Sequence, residues 1–172
     1  MEFNQVSSSD DYRAEEIFSS YCSAFPEDER RCERQFKCLF DNEKVRVISI
    51  LDGLNNVGYM ICWELSNCVF VEHFEIFSEF RSQKFGSESI KELFKNYSKI
   101  VLEAEPETLD DVSRNRVEFY KKNGFGVIDE NYMQPAYEDG KNPVPLWLMA
   151  NFSPEKSDLL RDEIYDIVYC RN

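Results

Sequence analysis

The sequence predicts an α/β (α+β) fold, with a mixed, mostly antiparallel central sheet flanked by helices and one further helix at the C-terminal end. Three observations carry this. Apolar, β-branched runs at Val45 to Leu51, Val57 to Leu65 and Cys68 to Phe77 follow one another across short turns, as successive hairpin-linked strands do. A basic, small-residue turn, Phe80-Arg81-Ser82-Gln83-Lys84-Phe85-Gly86-Ser87, then feeds an amphipathic segment from Glu88 to Tyr97. Finally, Lys99 to Leu102 returns as a buried strand, so strand, helix and strand make a parallel crossover.

The remaining elements follow in order. Phe3 to Val6 is a short first strand, and Ser8-Ser9-Asp10 is placed to cap a helix carrying Ile17, Phe18 and Tyr21. Phe25-Pro26-Glu27-Asp28 starts a second helix that runs through Phe36 and Leu39. Asp52-Gly53-Leu54-Asn55-Asn56 is the turn between the first two long strands. In the amphipathic segment, Ile90, Leu93, Phe94 and Tyr97 recur at helical spacing. Arg114 to Lys122 is a helix stopped by Gly124, and Phe125 returns the chain to a strand. A long turn-rich loop with Pro135, Gly140 and Pro143 leads to a closing strand at Leu146 to Met149. Leu160, Ile164, Ile167 and Val168 mark an amphipathic helix over about 154–170.

The chain has 172 residues, 42% of them hydrophobic, which is enough for one domain with a sizeable core, and no linker or repeat divides it. A single domain over 1–172 is expected. Thirty-three acidic residues against 20 basic ones give a formal charge of −13, which disfavours nucleic acid as a partner and mildly favours cationic ones. Six cysteines show no paired C-x-x-C spacing and read as reduced, mostly packed thiols. The start, Met1 to Val6, lacks a basic region and an apolar core, and no apolar run is long enough to cross a bilayer, so the expected location is cytoplasmic, with no membrane partner. His73 is the only histidine, which excludes a multi-histidine metal site, and no metal is expected.

A turn entering a helix offers unpaired backbone N–H groups and a favourable dipole end to a phosphorylated ligand. With Arg81 and Lys84 beside it, the turn at 80–87 points to a nucleotide-like cofactor. Together with Arg114-Asn115-Arg116-Val117-Glu118-Phe119-Tyr120-Lys121-Lys122-Asn123-Gly124-Phe125, it resembles the acetyl-coenzyme A binding core of the GNAT superfamily of N-acetyltransferases. The first segment is similar to its R-x-x-G-x-G turn, the second to its helix ending in F-Y-x-x-x-G-F. The element order matches across almost the whole chain, with the last helix an addition. Ala24-Phe25-Pro26-Glu27-Asp28-Glu29-Arg30-Arg31, Val71-Glu72-His73-Phe74, Tyr132-Met133-Gln134-Pro135-Ala136-Tyr137 and Pro145-Leu146-Trp147-Leu148-Met149 resemble a bacterial branch of that superfamily. That likeness speaks to fold and cofactor, not to the acceptor.

The resemblance implies a sheet splayed between its fourth and fifth strands, with acetyl-coenzyme A lying in the gap as a surrogate strand. It implies that the backbone of Phe74, Glu75 and Ile76 holds the pantetheine and thioester. The amides of Ser82, Gln83, Lys84, Phe85, Gly86 and Ser87 would hold the pyrophosphate, with Arg81 and Lys84 adding charge. Lys84 departs from the pattern, standing where the family has the first glycine of the turn. Tyr120 takes the position of the proton donor to the departing thiolate. An asparagine that touches the cofactor falls on Asn115, with Ser113 as the other candidate. For the general base, Glu103 ends its strand in a string similar to that of ribosomal-protein N-terminal acetyltransferases. Glu72 is the alternative, by strand parity on one face with Phe74 and Ile76.

The implied activity is transfer of an acetyl group from acetyl-coenzyme A to a primary amine, by direct attack in a ternary complex. The amine is a small molecule or a peptide amine, and the protein a monomer or homodimer. Glu103, Glu105 and Glu64 could line a pocket for a cation, covered by the loop from Met133 to Pro143. The alternative is a non-catalytic acyl-coenzyme A binding module that regulates a partner; a third reading is an interaction protein that docks through its acidic face and C-terminal helix.

Overall fold

Side-chain alternation along the strands gives the sheet two apolar faces, and each buries a different set of helices. The computed structural model describes residues 1–170, so the last two positions of the expected domain lie outside the described residues. In chain order the elements are β1 (Glu2–Val6), α1 (Tyr12–Ala24), α2 (Glu33–Cys38), β2 (Val45–Asp52), β3 (Asn55–Glu64), β4 (Val69–Ile76), α3 (Phe85–Asn96), β5 (Ile100–Ala104), α4 (Asp111–Lys122), β6 (Gly126–Asp129), β7 (Met133–Gln134), β8 (Val144–Pro145), β9 (Trp147–Ala150) and α5 (Ser157–Val168). Seven strands form one sheet in the order β1-β2-β3-β4-β5-β9-β6, while β7 and β8 pair as a small separate ribbon. Among the described residues only β4 and β5 run parallel; the other pairs are antiparallel.

One face carries Tyr59, Ile61, Trp63, Phe70, Val101 and Leu148 against Ile17 and Tyr21 of α1, Phe36 of α2 and Leu160, Ile164 and Val168 of α5. The opposite face carries Ile50, Met60, Val71, Leu102 and Met149 against Ile90 and Leu93 of α3 and Val117 and Tyr120 of α4. The C-terminal helix therefore packs on its own sheet.

Two local expectations shift. The first helix is capped by Asp11, whose carboxylate accepts the Arg13 N–H at 3.0 Å, rather than by Ser8-Ser9-Asp10. The second helix does not run on from Pro26: a single 3-10 turn at Glu27–Glu29 is followed by extended chain, and α2 begins only at Glu33. The cause lies at Arg31. Its N–H donates to the Tyr21 hydroxyl at 2.7 Å and its guanidinium turns inward, which takes that backbone out of helical pairing. The Cys32 N–H is in turn met by the Gln35 side chain at 3.0 Å.

The parallel pair is short. β4 and β5 share three rungs, Val69 with Ile100, Phe70 with Val101 and Val71 with Leu102. Beyond them β4 continues against β3 alone as far as Ile76, while Glu103 and Ala104 pair only with Leu148 and Trp147 of β9. The strands part where β4 bulges: Val71 lies opposite Cys62 and His73 opposite Ile61, leaving Glu72 as the extra residue. A bulge bends its strand and sharpens its twist.

Ile164 of α5 is fully buried against the sheet. Replacing it with Ala should lower the stability of the whole protein by about 2–5 kcal/mol, read as one cooperative shift in a urea melt; an unchanged midpoint would mean that α5 is not part of the core.

Candidate active site

The parting of β4 and β5 opens a cleft of about 660 Å³. Its walls come from both faces of the sheet. Phe25, Glu29, His73, Glu103 and Gln134 line it from the side of α1, α2 and α5, and Phe85, Phe119 and Tyr120 from the side of α3 and α4. The volume lies within the range that holds drug-sized ligands.

At one end sits the turn before α3. Ser82 and Lys84 both adopt left-handed backbone, with φ of +62° and +73°, and Lys84 is the residue before the first helical turn. This explains why the resemblance places a glycine at Lys84: the backbone there has positive φ, which strains a residue with a Cβ. The first bond into the helix runs from the Glu88 N–H to the Lys84 carbonyl at 3.1 Å, so the amides of Phe85, Gly86 and Ser87 have no acceptor within it. A left-handed residue followed by helix gathers such amides into an anion-binding concavity.

Arg81 folds back on β4, its Nε donating to the Ile76 carbonyl at 2.9 Å and its Nη2 to Glu75 at 3.3 Å. Gln83 turns away, donating to the Glu79 carbonyl at 3.0 Å. Gly86 has a packing role: a Cβ there would stand 3.1 Å from the Phe119 ring and 3.8 Å from Ile76, so its smallness lets α3 approach α4.

The bulge at Glu72 overturns the parity reading of β4. Glu72 does not share a face with Phe74 and Ile76. Glu72, His73 and Glu75 all point toward α1, α2 and α5, where they meet Trp63, Tyr21 and Ser20 respectively. Phe74 and Ile76 join the opposite core. Glu75 is buried, and that burial raises its pKa.

Glu72 is enclosed. Arg31 donates to its Oε1 through Nη2 at 2.9 Å and Nε at 3.2 Å, the Tyr137 hydroxyl donates to the same oxygen at 2.7 Å, and the Trp63 indole donates to Oε2 at 2.7 Å. Burial works to raise its pKa, but the Arg31 charge and these donors hold it below the ordinary carboxylate value. His73 beside it is buried and neutral, its pKa pushed down to about 4 by desolvation. Its Nε2 lies 3.1 Å from the Tyr21 hydroxyl, and its Nδ1 has no partner among the described residues.

Glu103 shares this face, opposite Leu148, in a different environment. Among the described residues its hydrogen-bond partners are phenols only: Tyr132 donates to Oε1, and the Tyr169 hydroxyl stands 3.0 Å from each oxygen. Burial, with a smaller push from the Glu72 charge, raises its pKa to about 8. Across the gap, Tyr120 is packed between Phe119 and Phe125, its hydroxyl has no hydrogen-bond partner among the described residues, and burial raises its pKa to about 12.

Two further acids line the cleft. Glu29, on the 3-10 turn after α1, has its pKa lifted to about 7 by burial and by the neighbouring Glu105 charge. Glu105 is paired with Arg116 and accepts from the Ser113 hydroxyl at 3.2 Å. Ser113 is thus buried in the α4 start, and Asn115 is the one of the two that faces the cleft. Glu64 lies elsewhere, paired with Arg46. Glu29 was missed by sequence reasoning, because an unbroken helix there gives no reason to single it out. The loop of β7 and β8 is tied over this end: Gln134 donates to the Asp28 carbonyl at 3.1 Å, Lys141 to the Arg30 carbonyl at 2.6 Å, and Gln35 to the Tyr137 carbonyl at 2.7 Å.

The fold is that of the GNAT acetyltransferases. A protein from Bacteroides thetaiotaomicron described as a GNAT-family acetyltransferase superposes over 100% of both chains with a TM-score of 0.92 at 23% identity. The ribosomal-protein-S18-alanine N-acetyltransferase of Escherichia coli matches 90% of this chain and 97% of its own, with a TM-score of 0.58 and 18% identity. An aminoglycoside 6'-N-acetyltransferase complexed with coenzyme A matches 91% of this chain and 100% of its own, with a TM-score of 0.61 and 14% identity. No protein-family model and no curated protein sequence matches the chain. Among the described residues, no helix is long and apolar enough to cross a membrane.

The Arg31–Glu72 pair makes a test of the buried network. Replacing Arg31 with Met leaves an uncompensated carboxylate and should cost about 3–5 kcal/mol at neutral pH. Because Glu72 has a depressed pKa in the folded protein, its contribution is present above the ordinary carboxylate value and fades as pH falls through the folded one. The difference between the two proteins in urea melts should therefore shrink toward acid pH; a difference independent of pH would contradict the assignment.

Proposed function

We propose that this chain is an acetyl-coenzyme A dependent N-acetyltransferase that acetylates a primary amine by direct attack in a ternary complex. One observation carries the reading: the gap between β4 and β5 exposes Glu103 from one face of the sheet and Tyr120 from the other to a single cleft. A molecule threaded through that gap can meet an acid and a base at once.

The residues present fit the carrier. Backbone groups of β4 beyond Val71 have no β5 partner, so those of Phe74 and Glu75, and of Ile76 once Arg81 releases its carbonyl, are open to an extended pantetheine. The amides after Lys84 suit a pyrophosphate, with the Lys84 ammonium and, once released from Glu75, Arg81 supplying charge. Asn115 borders the same space. Bound acetyl-coenzyme A supplies an activated thioester.

Glu103 accepts the proton that the incoming ammonium must lose. A carboxylate with a pKa near 8 is matched to that task, since it is partly ionised near neutrality yet basic enough to take the proton. Glu72 is poorly suited as a base, because its lone pairs are committed and its pKa is low. Tyr120 remains protonated throughout the physiological range and holds its proton toward the departing sulfur. Glu29 and Glu105 give the acceptor end a negative potential, which favours a cationic amine. The aminoglycoside and ribosomal-protein acetyltransferases sharing this fold act on amines, which supports the same acceptor class here.

Thiol release from acetyl-coenzyme A should depend on an added amine when spermidine, an aminoglycoside, lysine and an alanine-initiated peptide are compared. With the best acceptor, kcat/KM should fall below about pH 8. Glu103→Gln should lower it by about 10²- to 10⁴-fold and abolish that limb; a limb surviving in the variant belongs to the acceptor's own ammonium. Tyr120→Phe should lower kcat with coenzyme A affinity unchanged. Tight cofactor binding with no amine-dependent release from any acceptor would instead favour the non-catalytic binding module.

A further inference from the structure

The C-terminal helix reaches the reaction centre. Tyr165 on its last turn and Tyr169, the residue that caps its end, stand four residues apart. The Tyr165 ring packs on Tyr132 at 5.6 Å between centroids, and the Tyr169 ring on Tyr137 at 5.2 Å. The Tyr165 hydroxyl donates to the Met133 carbonyl at 2.6 Å, which ties the helix to the loop over the cleft. The helix end is also fixed, since Arg31 Nη2, already engaged with Glu72, donates to the Val168 carbonyl at 2.9 Å. That bond satisfies one of the carbonyls a helix leaves unpaired at its C-terminus. The next residue, Tyr169, is thereby held with its hydroxyl 3.0 Å from both oxygens of Glu103.

We infer that Tyr169 is a positioning residue for Glu103: with Tyr132 it clamps the carboxylate in one orientation, so that α5 is a working part of the active site. This rests on the reading of Glu103 as the base. Two phenol donors on one carboxyl restrict its rotation, and since a carboxylate has about four lone-pair sites, they leave capacity for an ammonium. They also favour the ionised form, since a hydrogen bond donated to a carboxylate stabilises its charge. The ionisable groups acting on Glu103 come from every neighbouring element: Glu72 from β4, Glu29 from the 3-10 turn, Tyr132 and Tyr137 from the loop, and Tyr165 and Tyr169 from α5. Among the described residues, only Tyr132 and Tyr169 donate to it directly.

Tyr169→Phe keeps the ring against Tyr137 and removes the donor. Carbon-13 NMR of the glutamate side-chain carboxyls gives a readout that needs no acceptor, and Glu103→Gln assigns the resonance by its loss. In the native protein that signal should titrate near 8. In Tyr169→Phe its midpoint should rise by about one pH unit, the size expected for losing a hydrogen bond to a charged group. The acidic limb of kcat/KM, measured with the amine that turns over fastest, should move upward with it, while coenzyme A affinity and the urea midpoint establish that the fold is kept. An unmoved NMR midpoint, with Glu103→Gln inactive, overturns the role of Tyr169 and leaves the base in place. Full turnover by Glu103→Gln removes the base itself, and the positioning role falls with it.

Discussion

The architecture depends on a parallel strand pair that stops after three rungs. A bulge at Glu72 bends β4 where its pairing with β5 ends, and β5 leaves to follow β9. A sheet left open in this way exposes unpaired backbone groups, which are costly if buried without a partner. They are natural ligands for an extended molecule carrying amide groups of its own. The same opening is a passage between two cores that are otherwise separated by the sheet, one under α1, α2 and α5 and one under α3 and α4.

Along that passage, two glutamates on one face, Glu72 buried and Glu103 partly so, are given opposite characters by their neighbours. Glu72 receives a guanidinium, an indole and a phenol, and stays charged. Glu103 receives phenols alone, without a compensating cation, and its pKa rises. Pairs of carboxyl groups driven apart in this way are how one site separates a structural anion from a proton acceptor. Arg31 links the two regions. It neutralises Glu72, interrupts the second helix so that Glu29 borders the cleft, and holds the end of α5 so that Tyr169 meets Glu103.

Much of this was legible in the sequence, where local pattern decides the structure. The strand runs, the turn before α3 and the helix ending at Gly124 are local signals of periodicity and punctuation, and they emerge close to where the sequence puts them. Glu103 and Tyr120 were singled out by the likeness of their strings to GNAT motifs rather than by local pattern, and the structure places both at the cleft. What escaped depends on distant partners. The bulge that reverses the parity of β4 is a matter of register between strands. The break before α2 follows from the Arg31 contacts with Tyr21 and Glu72, and the clamp on Glu103 joins residues 29 and 66 positions apart. The Lys84 departure was visible, but its left-handed backbone was not, since a lysine carries no local preference for positive φ.

The most direct test is a crystal structure with coenzyme A bound. Pantetheine should run along β4 between Glu72 and Ile76 in the gap beside Glu103, with the pyrophosphate on the amides that follow Lys84. Coenzyme A bound elsewhere, or β4 and β5 paired beyond Val71 and Leu102 with no room between them, would contradict the account.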